Sequence, residues 1–431
     1  MKSRKQWNIL SSRIQFLLLA FGILLLGCGS KTKDSRTIEF WAMGVEARHV
    51  RELLPQFEKE NPGIHVKVQA IPWSAAHEKL LTAYAGNSTP DLCQLGNTWI
   101  PEFVILNAIE PLDAFLKTST DIDTAQYFSG IWATNEIDGT LYGIPWYVDT
   151  RLLFYRKDIF EELGHPTAPT TWNDLFDLSL KIQNEGKTEY AFYLPLNGWH
   201  EIVAMAMQNG STLLKDNNSY GDFAAPEFQK ALRFFLKMYE HQLCPLGMNA
   251  ISNLYQSFAD NYFSIYISGP WNLGEFAKRL PESMQNKWAV APMPSFAGEY
   301  PGISTAGGSS IVMFKNCANK AAAWKLIDFL SRPEIQARFY QLSGDLPANA
   351  AAWNIAGLHE HERTEVFFQQ LQHVKPTPRI PEWEQIALKI QQHVEAMVYG
   401  NITPEEAGSR LNIEVDRLLD KRRWLLERER E

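Results

Sequence analysis

The chain has 431 residues, of which 45% are hydrophobic and 21% charged, a composition typical of a folded protein with a substantial apolar core. Its formal net charge of −8 argues against nucleic acid as a partner, because phosphates repel an acidic surface that lacks a basic patch. The length predicts about two or three domains' worth of chain rather than one compact core.

The first segment of the chain, residues 1–27, has the layout of an export signal. Basic residues precede an apolar stretch, 14–26, that is too short to span a bilayer as a permanent helix. Gly27 directly before Cys28 is similar to a lipobox, in which the cysteine is acylated and becomes the new N-terminus. An ordinary cleaved signal with an incidental cysteine is the alternative. We therefore predict a lipoprotein signal peptide, lipidation of Cys28, a polar tether over 28–36 and a location on the extracytoplasmic side of the bacterial cell membrane.

The next part of the chain alternates between strand and helix spacing. Residues 37–41 predict a buried strand, and the apolar positions over 50–57 predict a helix that stops before a second strand, 65–71. A helix around residues 80–84 and a short strand over 91–95 follow. This alternation predicts an α/β domain with a largely parallel sheet.

A second α/β stretch follows in the middle and at the end of the chain. Residues 152–155 predict a buried strand, and Thr171 opens a helix. An asparagine-capped helix is expected over 320–330, followed by a proline-initiated helix over 333–344. Near the end, Thr403 begins a capping box, which predicts one more amphipathic helix.

Motifs for catalysis or metal binding are weak in this sequence. Ser309 lies in a glycine-rich stretch but has no identifiable base, and residues 359–362 lack the spacing that places two histidines on one helix face. Cys93, Cys244 and Cys317 allow one disulfide at most, and their apolar neighbours favour buried thiols. We predict no catalytic residue, no metal and no cofactor.

Tryptophan is the unusual residue of this chain, with 14 copies. Several follow glycine, proline or short polar residues, which suggests loops at strand ends, where α/β proteins bind ligands. A flat indole beside a carboxylate or amide suits a sugar. Core packing is the better explanation for any one of these tryptophans alone, and only the set together favours a sugar site. The tryptophans in question are Trp73, Trp99, Trp146, Trp199, Trp271 and Trp383.

Several short pieces of sequence, which follow the lipobox in order along the chain, carry a resemblance to a known family. Over residues 37–420, the chain resembles the extracytoplasmic solute-binding proteins of carbohydrate ABC importers (family 1). This group includes the maltose-binding protein. The pieces are residues 57–64, 89–92, 139–146 with Asp149, 155–158, 268–272, 320–330 and 333–334.

The resemblance implies the type II periplasmic binding-protein fold. In that fold, two α/β lobes, each a mostly parallel sheet flanked by helices, trap a ligand at a hinge. Chain crossings between the lobes are expected near 145–149, 294–300 and 346–347. The implied N-terminal lobe comprises residues 37–146 and 299–346, and the C-terminal lobe comprises residues 147–298 and 347–431.

The resemblance also implies ligand contacts. Glu46, Asp149 and Trp271 match contact positions of the family, and Trp383 matches a late stacking tryptophan. The turn over residues 42–45 lacks the charged pair of the maltose binder, so the sequence does not predict maltose itself. With the tryptophans and glycines added, the predicted ligand-binding set is Glu46, Trp73, Asn97, Trp99, Trp146, Asp149, Trp199, Trp271, Asn272, Gly307, Gly308 and Trp383.

The function implied by the resemblance is capture of a mono- or oligosaccharide for an importer. The expected partners are the sugar and the transmembrane subunits of the permease, and the expected state is a monomer. Two alternatives stay open. One is a binder of another solute on the same fold, such as a glycerol phosphoester, which calls for cationic groups in the cleft. The other is an exported carbohydrate-active enzyme, which needs two carboxylates flanking one glycosidic bond.

Overall fold

The computed structural model of the chain describes residues 36–247, 251–296 and 299–428. The predicted signal peptide, Cys28 and the tether as far as residue 35 lie outside the described residues. Among the helices within these ranges, none has both the length and the apolar content to cross a bilayer.

The strands within the described ranges form two larger sheets and three short two-stranded ladders. They are β1 (Thr37–Met43), β2 (His65–Ile71), β3 (Leu92–Gly96), β4 (Glu136–Ile137), β5 (Thr140–Leu141), β6 (Gly143–Asp149), β7 (Leu152–Arg156), β8 (Phe192–Tyr193), β9 (Leu214–Lys215), β10 (Tyr220–Gly221), β11 (Ile265–Ser268), β12 (Trp288–Ala291), β13 (Ser304–Thr305), β14 (Gly307–Met313) and β15 (Val374–Lys375).

Helices flank both larger sheets. They are α1 (Glu46–Val50), α2 (Leu54–Glu60), α3 (Trp73–Ala85), α4 (Ile100–Ile105), α5 (Asp113–Leu116), α6 (Ser129–Trp132), α7 (Lys157–Glu162), α8 (Trp172–Asn184), α9 (His200–Gln208), α10 (Pro226–Glu240), α11 (Leu254–Ala259), α12 (Trp271–Arg279), α13 (Lys320–Ser331), α14 (Pro333–Ser343), α15 (Ala350–Ile355), α16 (Glu362–Leu371), α17 (Trp383–Val398), α18 (Pro404–Leu418) and α19 (Asp420–Arg428).

The predicted α/β fold with two lobes is confirmed, but the sheets are mixed rather than mostly parallel. The first sheet has the order β2-β1-β3-β14-β6, and the second has the order β12-β7-β11-β8. In the first, β1 is parallel to β2 and β3, whereas β14 is antiparallel to both β3 and β6. The chain leaves this sheet along β6 and returns along β14, so these two strands run in opposite directions. In the second sheet β7 is antiparallel to both neighbours.

Local sequence signals explain where several elements begin and end. The predicted strand over 65–71 coincides with β2, and Thr403 forms the predicted capping box with Glu406 at the start of α18. The helix expected over 50–57 is instead divided into α1 and α2. Pro55 lies in the first turn of α2, where its missing N–H prevents a continuous hydrogen-bond ladder.

The segments that pass between the two sheets lie side by side. The Val148 N–H donates to the Leu346 carbonyl at 2.9 Å, which joins the first predicted crossing to the third. The Arg151 N–H donates to Ser304 Oγ at 3.1 Å, just beyond the second. Strand β6 continues to Asp149 because β14 pairs with it that far, so the predicted lobe boundary after Trp146 falls inside a strand.

Aromatic and aliphatic side chains fill the space between sheets and helices. In the first lobe, Phe57 of α2 packs against Phe329 of α13 with ring centroids 5.4 Å apart. The three described cysteines are buried, as small apolar residues are in cores. They are Cys93, Cys244 and Cys317.

Candidate functional site

A cleft of about 510 Å³ lies between the two sheets, where β1, β2 and β3 end. The carboxyl ends of parallel strands are where open α/β sheets bind ligands. Nine of the twelve predicted ligand contacts line this cleft, and whether they touch a ligand stays a prediction. These nine are Glu46, Trp73, Asn97, Trp99, Asp149, Trp199, Trp271, Gly307 and Gly308.

Glu46 is the acidic group of the first lobe. It follows β1, opens α1 and is only 7% exposed. The Tyr147 hydroxyl donates to its Oε1 at 3.3 Å, and its Oε2 is buried. Burial raises the pKa of Glu46, and the neighbouring Trp73 and Tyr147 side chains oppose that rise. The carboxylate therefore offers an acceptor that suits a ligand hydroxyl.

Two indoles and an amide complete this wall. Trp73 begins α3, and Trp99 ends the 3₁₀ turn over residues 97–99, with the two rings edge to face at 5.8 Å. Asn97 is buried in the same turn and donates to Thr134 Oγ1 at 3.2 Å, which fixes its amide. Edge-to-face packing holds the two rings in place, so they form a preformed aromatic surface.

The opposite wall is built around Trp271, which is 46% exposed. The sequence suggested a turn at this position, but Trp271 is the first residue of α12. A Cβ atom at Gly269 would overlap the six-membered ring of Trp271 and would lie 2.6 Å from Asp149 Oδ1. The absence of a side chain at Gly269 thus allows the indole and the carboxylate to lie together.

Arg151 joins these two groups. Its Nη1 donates to Asp149 Oδ1 at 2.7 Å, and its guanidinium carbon lies 4.9 Å from the Trp271 ring centroid. Burial raises the pKa of Asp149, and Arg151 opposes that rise. The paired charges leave this wall close to neutral.

Two further second-lobe residues of the cleft are aromatic. Trp199 and His200 stack at 3.8 Å at the start of α9. Burial lowers the pKa of His200 well below its ordinary value, and Arg151 lowers it further, so the imidazole is neutral at pH 7.

Two glycines allow strands to approach closely at the floor of the cleft. Gly308 has φ +128°, and a Cβ there would overlap the Tyr147 carbonyl and lie 3.0 Å from Val148 Cα. Gly307 lies directly opposite Asp149 in the β14–β6 ladder. Both glycines line the cleft, and the tight strand pairing is the reason for glycine at these positions. Their contact with a ligand stays a prediction.

Three predicted contacts lie elsewhere and require correction. Trp146 is 1% exposed and stacks on Phe339 at 4.4 Å, so it belongs to the core of the first lobe. Asn272 turns inward, where it accepts from Tyr255 at 2.9 Å and donates to Ser268 at 2.5 Å.

Trp383 is the third of these residues and is also 1% exposed. Its ring stands perpendicular to Trp199 at 5.3 Å, so it supports an indole of the cleft from behind. The next residue of α17, Glu384, lines the cleft instead, because successive helix residues point in different directions.

The sequence interpretation missed several polar residues of the cleft. Each lies within two positions of a predicted contact or crossing, and this proximity is the sequence signal by which it could have been found. They are Tyr147, Arg151, His200, Asp345 and Glu384.

Asp345 brings an uncompensated carboxyl group to the third crossing. Its Oδ2 is buried and has no hydrogen-bond partner among the described residues. Burial, with the charges of Glu46 and Asp149, raises the pKa of Asp345 to about 7. The folded protein therefore binds this proton more tightly than the unfolded chain does.

We expect Asp345→Asn to stabilise the protein at pH 8. Because the folded-state pKa exceeds the ordinary value of 3.8, the free energy of unfolding of the parent falls as pH rises from about 4 to about 7. The amide removes that loss, so the variant should gain about 1 to 3 kcal/mol at pH 8 and less at pH 5. Urea denaturation at both pH values measures this, with the exposed Asp177→Asn as control. A variant less stable than the parent at pH 8 would refute the assignment.

A second cavity, of about 630 Å³, lies between α12, β12 and the start of α16. It contains one of the chain's buried indoles, Trp288, whose ring is covered by the Arg363 guanidinium at 3.6 Å. None of the twelve predicted contacts lines it, and it lies away from the strand ends of the first sheet. The cleft between the sheets is therefore the candidate binding site.

Known proteins resemble the chain over most of its length. The sugar-binding protein MalE of Xanthomonas citri has 45% identity and a TM-score of 0.87, over 91% of this chain and 99% of that one. A solute-binding protein of Thermotoga lettingae, bound with α-D-tagatose, has 28% identity and a TM-score of 0.76, over 89% of this chain and all of that one. The sn-glycerol-3-phosphate-binding protein UgpB of Escherichia coli is 25% identical over 418 residues, 90% of this chain and 93% of its own length.

The family model for bacterial extracellular solute-binding proteins matches residues 44–337. This range contains β2 to β14, and with them most of both sheets and the greater part of the cleft. The chain therefore belongs to the family of bacterial extracellular solute-binding proteins.

Proposed function

We propose that this protein captures an uncharged mono- or oligosaccharide between its lobes and delivers it to the permease of an ABC importer. The observation that carries the proposal is the cleft itself, in which exposed indole surface lies beside carboxylates from both lobes. Indoles stack on the C–H faces of sugar rings, and carboxylates accept hydrogen bonds from hydroxyl groups. A ligand held by both walls favours the closed state, which is the form that a permease would recognise.

The relatives support a sugar as the ligand. Two of the solved structures are described as sugar-binding or as bound with tagatose, at 45% and 28% identity. Relatives of this kind are binding proteins, so we propose that the chain binds its ligand without turnover and acts as a monomer.

A glycerol phosphoester is the second candidate, because UgpB is a relative. The charges of the cleft oppose it. Glu46, Asp345 and Glu384 line the cleft, and the nearest cation, Arg151, is already paired with Asp149. A phosphate would meet a negative potential there.

An enzyme on carbohydrates is the remaining alternative. His200 lines the cleft, and the buried Glu201 follows it in α9. Burial lowers the pKa of His200 and raises the pKa of Glu201, so it disfavours the charged form of both groups. We propose that they shape the wall of the cleft rather than transfer protons.

A ligand screen tests the function. Calorimetry against neutral monosaccharides and disaccharides, D-tagatose and maltose among them, and against sn-glycerol-3-phosphate should give binding only with a neutral sugar. Small-angle scattering with that sugar should show a smaller radius of gyration, and chromatography should recover the sugar intact. Binding of the phosphoester alone, or appearance of a product, would overturn the proposal.

We further propose a lipid anchor on Cys28, motivated by the Gly27-Cys28 junction after the apolar stretch. The parent protein, expressed in a bacterium, should partition into the detergent phase of a phase-separation assay, whereas Cys28→Ala should partition into the aqueous phase. The buried thiol variant Cys244→Ala serves as control and should behave as the parent does. Detergent-phase partitioning of Cys28→Ala would contradict the anchor.

A further inference from the structure

We propose that Arg151 is the positioning and specificity-determining residue of the second wall, where it makes Trp271 and Asp149 into one rigid, charge-neutral unit that selects an uncharged sugar. This inference rests on the proposed function and adds the residue that sets the class of ligand. Asp149, Arg151 and Trp271 are together called the Arg151 unit below.

Arg151 is held at its backbone as well as at its side chain. Its N–H donates to Ser304 Oγ at 3.1 Å, and the same hydroxyl donates back to the Arg151 carbonyl at 3.2 Å. Ser304 lies in β13 and is fully buried. The backbone of Arg151 is therefore anchored where the first and second crossings meet.

The side chain of Arg151 is 9% exposed, so its charge must be compensated within the protein. Asp149 supplies the opposite charge at 2.7 Å, and the Trp271 ring supplies a cation–π contact at 4.9 Å. Removing Arg151 would leave the carboxylate of Asp149, which is only 24% exposed, without its partner. It would also uncover the ring face of Trp271 that the guanidinium covers. The ring would then be less restrained, because Gly269 beneath it has no side chain.

The guanidinium still has donors to offer. It carries five N–H groups, and within the described ranges Asp149 is its one hydrogen-bond acceptor. Since Arg151 lines the cleft, the remaining donors lie beside the carboxylate and the exposed part of the indole. The guanidinium donors and the carboxylate acceptor lie next to the apolar face of the indole. This arrangement matches two adjacent hydroxyl groups on a sugar ring.

The neutrality of the Arg151 unit carries the specificity. An anionic sugar gains little from a guanidinium whose charge is already matched by Asp149, and it meets Glu46 and Asp345 in the same cleft. The Arg151 unit thus favours a neutral pyranose over its uronic acid counterpart.

The first experiment needs no ligand. The protein labelled with 5-fluorotryptophan is compared by ¹⁹F NMR, and Trp271→Phe assigns the Trp271 resonance. We expect that resonance to shift and sharpen in Arg151→Met but not in Arg233→Met, which removes an exposed arginine paired with Glu405. If Arg151→Met does not fold, Asp149→Asn/Arg151→Met leaves no unpaired charge and provides the same comparison. An unchanged Trp271 resonance would overturn the positioning role.

The second experiment measures selectivity by calorimetry with a neutral sugar that binds the parent and with its uronic acid counterpart. Arg151→Met should bind the neutral sugar roughly 10- to 100-fold more weakly, and Arg151→Lys roughly tenfold, because an ammonium cannot span both partners. Asp149→Asn leaves Arg151 unpaired, so the preference for the neutral sugar should narrow or reverse. An unchanged preference in Asp149→Asn would overturn the specificity role. If no neutral sugar binds the parent, the proposed function fails, while the NMR comparison still decides the positioning role.

Discussion

Trp146→Ala should lower the free energy of unfolding by about 3 to 5 kcal/mol, the range for removing a large aromatic side chain from a packed core. The indole is 1% exposed, stacks on Phe339 at 4.4 Å and lies 6.0 Å from Phe40. Alanine leaves a cavity among these rings, because strand β6 is fixed by its pairing with β14 and cannot move in to fill it. Urea denaturation without ligand measures the loss.

The matched control is Trp424→Ala, which removes an indole that is 51% exposed on α19. Its effect should stay within about 0.5 kcal/mol. The folded fraction of Trp146→Ala should keep the ligand affinity of the parent, since Trp146 does not line the cleft. A loss of stability below about 1 kcal/mol would show that Trp146 is not a core residue.

Trp271→Ala should produce the opposite pattern, with weaker binding and nearly unchanged stability. The loss of apolar contact and ring stacking should cost about 1.5 to 3 kcal/mol of binding, which is roughly a ten- to hundredfold rise in the dissociation constant. Because the indole is 46% exposed and rests over Gly269, its removal opens no closed cavity. Calorimetry with the sugar and an unfolding curve without it measure the two quantities on one preparation.

Two outcomes would contradict the assignment of Trp271. Unchanged affinity would remove it from the binding site, and a large loss of stability without ligand would place it in the core. Trp424→Ala serves again as control, since its removal should change neither quantity. Together, the variants of Trp146 and Trp271 separate two indoles that both follow a proline in the sequence.

The secondary structure could be predicted from the sequence where local spacing decides it. The alternating residues of β2 and the capping box at Thr403 depend only on neighbours in the chain, and both are found as expected. The strand ends could be predicted too, and Glu46, Trp73 and Asn97 lie there because side chains that follow parallel strands gather at one edge of the sheet. The direction of β14 could not be predicted in this way, because it depends on the return of the chain from the second lobe.

The face that each aromatic side chain presents was decided only by the tertiary structure. Pro145-Trp146 and Pro270-Trp271 have the same local pattern, yet Phe339 of α14 covers the first indole and Arg151 leaves part of the second exposed. The sequence by itself determined an α/β chain with aromatic residues at strand ends. Contacts between elements far apart in the chain decided which indoles face the cleft. They also decided the pairing of Arg151 with Asp149 beneath Trp271, because burial is a property of packing and not of local spacing.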